Sequence, residues 1–240
     1  MFAPNRIKKF HSWLLNWYDH KKRDMPWRKN RDPYRILVSE FMLQQTQVKT
    51  VIPYFNKWMS SFPTVKRLAA ASESNVLKHW EGLGYYSRAR NLLKSAIQIQ
   101  KNYSGKVPDS FHEIIKLPGV GRYTAGAVLS IAFDKKVPVL DGNVKRVLSR
   151  LMLLNENGSN KNSETRLWKT MEGLLPEKCC GDFNQALMEL GATICLPKNP
   201  VCEECPLKKL CKAKLSDKQD LFPPKKTIAK IFKIQVSAAV

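Results

Sequence analysis

The 240-residue chain carries 41 Lys and Arg against 20 Asp and Glu, a formal net charge of +21, with 43% hydrophobic and 25% charged residues. This is a globular mix, long enough for a real core, and a field of that sign attracts polyanions, nucleic acid ahead of an anionic membrane. It excludes a bilayer-spanning protein, since no apolar run approaches the roughly 20 residues required, and the N-terminus is too polar for a secretory signal.

Helical periodicity runs through almost the whole chain. Ile7, Phe10, Leu14, Trp17 and Tyr18 form an apolar stripe behind Pro4, which suits a first helical turn. Asp32-Pro33 reads as cap then proline. The helix it opens carries "RILVSEFMLQQTQV" (35–48), whose one acid, Glu40, shares a face with Ile36, Leu37 and Leu43. An ionised carboxylate is costly in such company, so Glu40 demands an explanation. Further helices are predicted near 50–59, 64–70, 73–81, 87–103, 110–116, 122–133, 143–154, 163–174 and 182–194, with Gly82 and Gly84 marking one boundary. "KVPVL" (136–140) is short for a strand, so the body is all-α. Trp13, Trp17, Trp58, Trp80 and Trp168 read as core. His11, His20, His79 and His112 show no metal spacing. Residues 212–233 are Lys-rich with Pro223-Pro224, a linker composition, and "IFKIQVSAAV" (231–240) alternates like the first strand of a further domain.

Three segments carry chemistry. "LPGVG" (117–121) stops one helix at Pro118 and turns on two glycines. The next helix then presents unpaired N–H groups, an anion site to which Gly119, Val120, Gly121 and Arg122 contribute. An ordinary helix corner is the structural alternative. In "VPVLDGNVKRVLSRL", Asp141 stands at an N-cap position, and a cap also fixes a carboxylate in place. Finally, Cys195, Cys202, Cys205 and Cys211 are spaced C-x6-C-x2-C-x5-C. Such a tetrathiolate holds zinc or an iron–sulfur cluster; having only one close pair leans toward [4Fe–4S]. Cys179 and Cys180 read as free thiols.

The helix–turn–helix glycine pattern, the following Asp and the four-cysteine spacing resemble the endonuclease III superfamily of helix-hairpin-helix DNA glycosylases. Within it, "MPWR" (25–28), "SEFMLQQTQV" (39–48), "GLGYYSRARNL" (82–92), "LPGVGRYTAGAVLS" (117–130), "LDGNVKRVLSR" (140–150) and "FNQALMELGATIC" (183–195) are similar to the A/G-specific adenine glycosylase family, the MutY type, over roughly residues 5–215. The resemblance implies a six-helix domain at 25–134 and a cluster-bearing helical domain from 1–24 and 135–211, with the active-site cleft between them. Residues 212–240 are then a linker and the start of a missing C-terminal domain. Glu40 is implied as general acid and Asp141 as stabiliser of the cationic sugar or transient nucleophile, with Tyr123 and Asn143 positioning. Tyr123 stands where strand-cleaving relatives carry a Lys, so a monofunctional enzyme is expected.

Trp27, Arg28 and Gln185 are implied in the base pocket. Gln44, Gln45 and Tyr85 are implied as residues that read or fill the duplex. The expected cofactor is a [4Fe–4S] cluster, and the expected partner is double-stranded DNA with A·8-oxoguanine or A·G mispairs. The implied setting is a monomer in the bacterial cytoplasm, associated with the nucleoid. Two alternatives remain open at this point: a non-enzymatic metal-stapled DNA-binding module, and a glycosylase acting on oxidised pyrimidines.

Overall fold

Each helix starts where its sequence supplies a cap or a proline. In the computed structural model, which describes residues 3–154 and 161–224, α1 (Pro4–Lys21) has proline at its first turn and buries Phe10, Leu14 and Tyr18. The Asp32 carboxylate accepts from Tyr34 N–H and Arg35 N–H to open α2 (Pro33–Leu43). This satisfies donors that the first turn leaves unpaired. There follow α3 (Val48–Ser61), α4 (Val65–Ala69) capped by Thr64, α5 (Glu73–Trp80) capped by Ser72, and α6 (Ser87–Asn102). Ser110 caps the single-turn α7 (Phe111–Ile114), and α8 (Arg122–Phe133) begins after the glycine turn. Asp141 caps α9 (Gly142–Met152) through Val144 N–H. The remaining helices are α10 (Lys161–Glu172), α11 (Cys180–Thr193) and α12 (Lys212–Leu215).

Among the described residues there is no strand, and 136–140 is an extended connection between α8 and α9. The expected helix over 110–116 contracts to four residues, because turns replace it from Ile115 to the Pro118 corner. The alternating segment 231–240 lies outside the described residues. No described helix is long and apolar enough to cross a membrane.

The apolar residues gather into two clusters. The first packs Ile36, Leu37, Phe41, Phe55, Trp58, Trp80, Leu92 and Val128. The second joins Phe10 and Leu14 of α1 to Val147, Leu148, Leu167, Phe183, Leu187 and Leu207. Trp58 and Trp80 are fully enclosed and Trp168 is buried, but Trp13 and Trp17 only flank the second cluster. α1 covers that cluster with one face, and these two indoles sit at the edge of the stripe. Along the seam, α8 packs on both α2 and α11, and α11 packs on α9 and α1. Four helices that carry sequence-predicted polar residues therefore meet at one place.

Candidate active site

Glu40 stands in the interior of α2 and is 5% exposed. Its Oε2 has no hydrogen-bond partner, a rare state for a buried polar atom. Burial raises its carboxyl from 4.5 to about 7, and the charge of Asp141 pushes in the same direction. The neighbouring Tyr123 hydroxyl and the charge of Arg28 oppose that rise. In this structure the Tyr123 hydroxyl donates to Met188 Sδ at 3.5 Å. Glu40 is thus built to hold a proton near neutral pH.

Asp141 is positioned differently. Its Oδ1 accepts Val144 N–H at 2.7 Å and its Oδ2 accepts Asn143 Nδ2 at 3.0 Å. Burial raises its carboxyl above the usual aspartate range, and those donors and the nearby Arg146 guanidinium offset only part of that rise. Arg146 in turn donates to Asn143 Oδ1 at 2.8 Å, Gly191 O at 2.8 Å and Cys195 O at 2.7 Å. The start of α9 is fixed to the end of α11.

One cavity of about 660 Å³ is lined by Glu40, Asp141, Tyr123, Asn143, Trp27, Arg28 and Gln185 together. All the residues expected for catalysis and for the base pocket share it. A larger groove of about 800 Å³ lies elsewhere, between Asp32, Pro63, Tyr103 and Pro108. It holds no buried acid, whereas Glu40 lines the smaller cavity.

The sequence reasoning missed Glu189. It is 1% exposed and lines the same cavity. Its carboxylate takes Arg23 Nε at 2.6 Å and Arg28 Nη2 at 2.9 Å. Arg28 Nε then donates to Gln185 Oε1 at 3.2 Å. Burial pushes the Glu189 carboxyl up, but the two guanidiniums outweigh it and the net direction is down. Two buried acids thus line one cavity with opposite tendencies: Glu40 keeps its proton and Glu189 releases it. The signal for Glu189 was available, since "FNQALMELGATIC" also holds a single acid among apolar neighbours.

These features decide between a generic helical bundle and a particular lineage. The HhH-GPD superfamily of base excision DNA repair proteins matches residues 38–172. The chain belongs to this superfamily. It is 48% identical over 210 residues to an adenine DNA glycosylase of Buchnera aphidicola subsp. Baizongia pistaciae, covering 87% of this chain and 59% of the relative. It is 45% identical over 223 residues to an adenine DNA glycosylase of Homo sapiens, covering 89% of this chain and 41% of that one. The chain therefore spans well under two thirds of these curated relatives. Among solved structures, a thermostable thymine-DNA glycosylase superposes with a TM-score of 0.80 at 34% identity, covering 88% of this chain and 98% of the other.

In this HhH-GPD chain the hairpin turn is held by Gly119. Its φ is +77°, and an added Cβ would meet Asn91 Cβ at 2.8 Å and Phe41 Cε1 at 2.9 Å, so only glycine fits there. No side chain caps α8 at Gly121, which leaves its first N–H groups outward. Val120 is buried, so only its backbone can serve an anion. The Arg122 guanidinium pairs with Glu172 at 3.0 Å and lies 4.0 Å from the Trp168 ring centroid. The pair is solvent-exposed on both sides, so the guanidinium stays at the surface beside the turn. Gln44, Gln45 and Tyr85 are not among the residues lining the cavity. Tyr85 is 61% exposed, and both Gln45 (φ 58°) and Tyr85 (φ 47°) hold left-handed backbone.

Cys195, Cys202, Cys205 and Cys211 line one small cavity beside Arg150 and Ile194. Burial and the neighbouring sulfurs push the Cys205 thiol up to about 12, and burial raises Cys202 and Cys211 as well. Ligation needs thiolates, so a positive centre among them would relieve that opposition. A zinc ion needs its sulfurs about 2.3 Å from one point. No three metal-ligating side chains among the described residues converge in that way. Four thiols around one cavity are a donor set that fits a metal–sulfur group. Cys179 is exposed and Cys180 buried, both as free thiols.

Proposed function

We propose that this chain carries out adenine excision: it hydrolyses the N-glycosidic bond of an adenine nucleotide mispaired with 8-oxoguanine or guanine in double-stranded DNA, and does so as a monomer. The observation that carries the reading is Glu40, a buried acid with an unpartnered oxygen, lining a cavity that Asp141 also lines. The resemblance to proteins named adenine DNA glycosylase supplies the substrate. In this reading the two hydrophobic clusters are the cores of a six-helix domain (25–134) and a second domain (1–24 with 135–211).

A base inside a duplex is out of reach, so the nucleotide leaves the stack first. The exposed Tyr85 and Gln45 occupy the space it vacates, Gln44 lies at the base edges, and the backbone of the Gly119–Gly121 turn holds a phosphate. Trp27, Arg28 and Gln185 receive the adenine. Glu40 gives its proton to a ring nitrogen of the imidazole edge, which makes the base a neutral leaving group. The bonding electron pair departs with the base as the bond to C1′ breaks, and positive charge develops on the sugar. The Asp141 carboxylate, held by Val144 and Asn143, faces that charge and stabilises it. Water then adds to C1′ and returns a proton to the Glu40 carboxylate. The products are free adenine and an abasic sugar. General acid catalysis of this kind typically contributes about 10²–10⁴-fold. With Tyr123 in place of an amine, no Schiff base forms at that position.

The four cysteines hold a [4Fe–4S] cluster in this reading. When bound, it staples residues 195–211 and so supports the positive surface around Lys198.

The test incubates the protein with an A·8-oxoguanine duplex and divides the product. Cleavage at the adenine only after alkali supports the proposal. Cleavage without alkali points instead to a lyase. Salt-sensitive binding with no abasic product points to a DNA-binding module, and excision confined to oxidised pyrimidines points to a different glycosylase.

A further inference from the structure

Arg88 is the most heavily engaged side chain outside the cavity. It stands in the first turn of α6, where its charge opposes the dipole of its own helix. It is 6% exposed, and burial pulls its guanidinium below the usual arginine range. Both terms argue against a cation here unless it does something that an apolar residue cannot.

Its bonds identify that task. Nη1 donates to Phe41 O at 3.2 Å, to Met42 O at 2.9 Å and to Gln44 O. These carbonyls end α2, where helices leave acceptors unpaired. Nη2 donates to Thr46 Oγ1 at 3.2 Å, Leu83 O at 3.1 Å and Gly84 O at 3.1 Å. One guanidinium therefore joins two turns that are about 40 residues apart in sequence. Each turn carries a non-glycine residue in left-handed backbone, Gln45 in one and Tyr85 in the other. Such conformations persist only where the surroundings over-determine them. The guanidinium also lies 5.3 Å from the Trp80 ring centroid and 5.4 Å from that of Tyr85. The exposed tyrosine thus has a cation and a buried indole behind it.

We infer that Arg88 is a positioning residue that welds the Gln44–Thr46 turn to the Leu83–Tyr85 turn, so that Gln45 and Tyr85 meet a DNA duplex as one preset unit. The inference rests on the duplex-binding reading above and deepens it. Preset side chains enter a base stack without first losing conformational freedom. An aromatic ring with a fixed backing offers its outer face for stacking on a base. Lysine does not substitute, because a single ammonium cannot span both turns with a planar fork.

The experiment places 2-aminopurine opposite guanine in a duplex and follows the fluorescence rise as the base leaves the stack. This reports extrusion whether or not a glycosidic bond is cut. Arg88→Lys and Tyr85→Ala are each expected to slow the rise about tenfold, and the double variant to be no slower than Tyr85→Ala alone. A merely structural role for Arg88 would lower the melting temperature without that coupling, and the two effects would multiply to about a hundredfold. Multiplying effects, or a wild-type rise in Arg88→Lys, overturns the inference. Thr46→Val removes one of the anchors without touching the charge. It serves if Arg88→Lys does not fold, with a few-fold slowing expected that vanishes in the Tyr85→Ala background. A wild-type protein that gives no fluorescence rise overturns the inference whatever the excision assay shows. Normal extrusion without adenine release would instead overturn only the proposed chemistry.

Discussion

Replacing Glu40 with glutamine should stabilise the protein at alkaline pH while removing its activity. The carboxyl titrates at about 7 in the folded chain against 4.5 as its ordinary value. Between those pH values the folded protein holds a proton that the unfolded chain has released. Folded stability therefore falls as pH rises across that window, by about 1.4 kcal/mol per pH unit. The whole penalty is about 3 kcal/mol and is fully present above pH 7. Glutamine has the same shape and no charge, so it escapes the penalty at every pH. For a chain of this size, each kcal/mol moves the melting temperature about 2–4 °C. Glu40→Gln should therefore melt about 6–12 °C above the wild type at pH 8.5 and alongside it near pH 4.5. Differential scanning fluorimetry across that range reads the difference directly. Single-turnover excision by the same variant should fall at least about 10²-fold. Parallel melting curves at all pH values would mean that Glu40 is solvated, and the argument for a stored proton would fail.

Asp141→Asn keeps the oxygen that accepts Val144 N–H but loses the charge, so excision should drop by about 10²-fold or more while circular dichroism keeps its helical signal. Glu189→Ala leaves Arg28 with no counter-charge in a buried setting, which should destabilise by about 3–5 kcal/mol in urea titration. A variant within 1 kcal/mol of wild type would show that Arg28 swings into water instead. In the wild type, the single-turnover rate should fall about tenfold per pH unit above about 7, as the Glu40 carboxyl loses its proton. Cys205→Ser should lose the bound iron and sulfide, read by absorbance and metal analysis, and should loosen residues 195–211 to proteolysis.

Much of this was legible from residue patterns. The caps at Asp32 and Asp141 announce their helices because a side-chain oxygen before an apolar run satisfies free N–H groups. Glu40 is legible because periodicity alone puts it on an apolar face. Arg28 and Gln185 come only with the resemblance, since they lie far apart in the chain and nothing local shows that they touch. Arg88 and Glu189 were not legible as network centres. Their partners are backbone carbonyls and side chains set by tertiary packing, which no spacing rule encodes. The partners of Arg122 are hidden for the same reason: Glu172 and Trp168 come from a distant helix. The left-handed backbone at Gln45 and Tyr85 is also hidden, since neither residue type favours it.

Glu40 on α2 and Asp141 at the head of α9 line one cavity but hang from different helices, and in the proposed chemistry one gives a proton while the other stays negative. If the helices drift apart, solvent reaches residue 40, its proton departs at neutral pH, and the machinery idles. The pH range over which the proposed chemistry runs is therefore set by the packing between two hydrophobic clusters as much as by residue 40 itself.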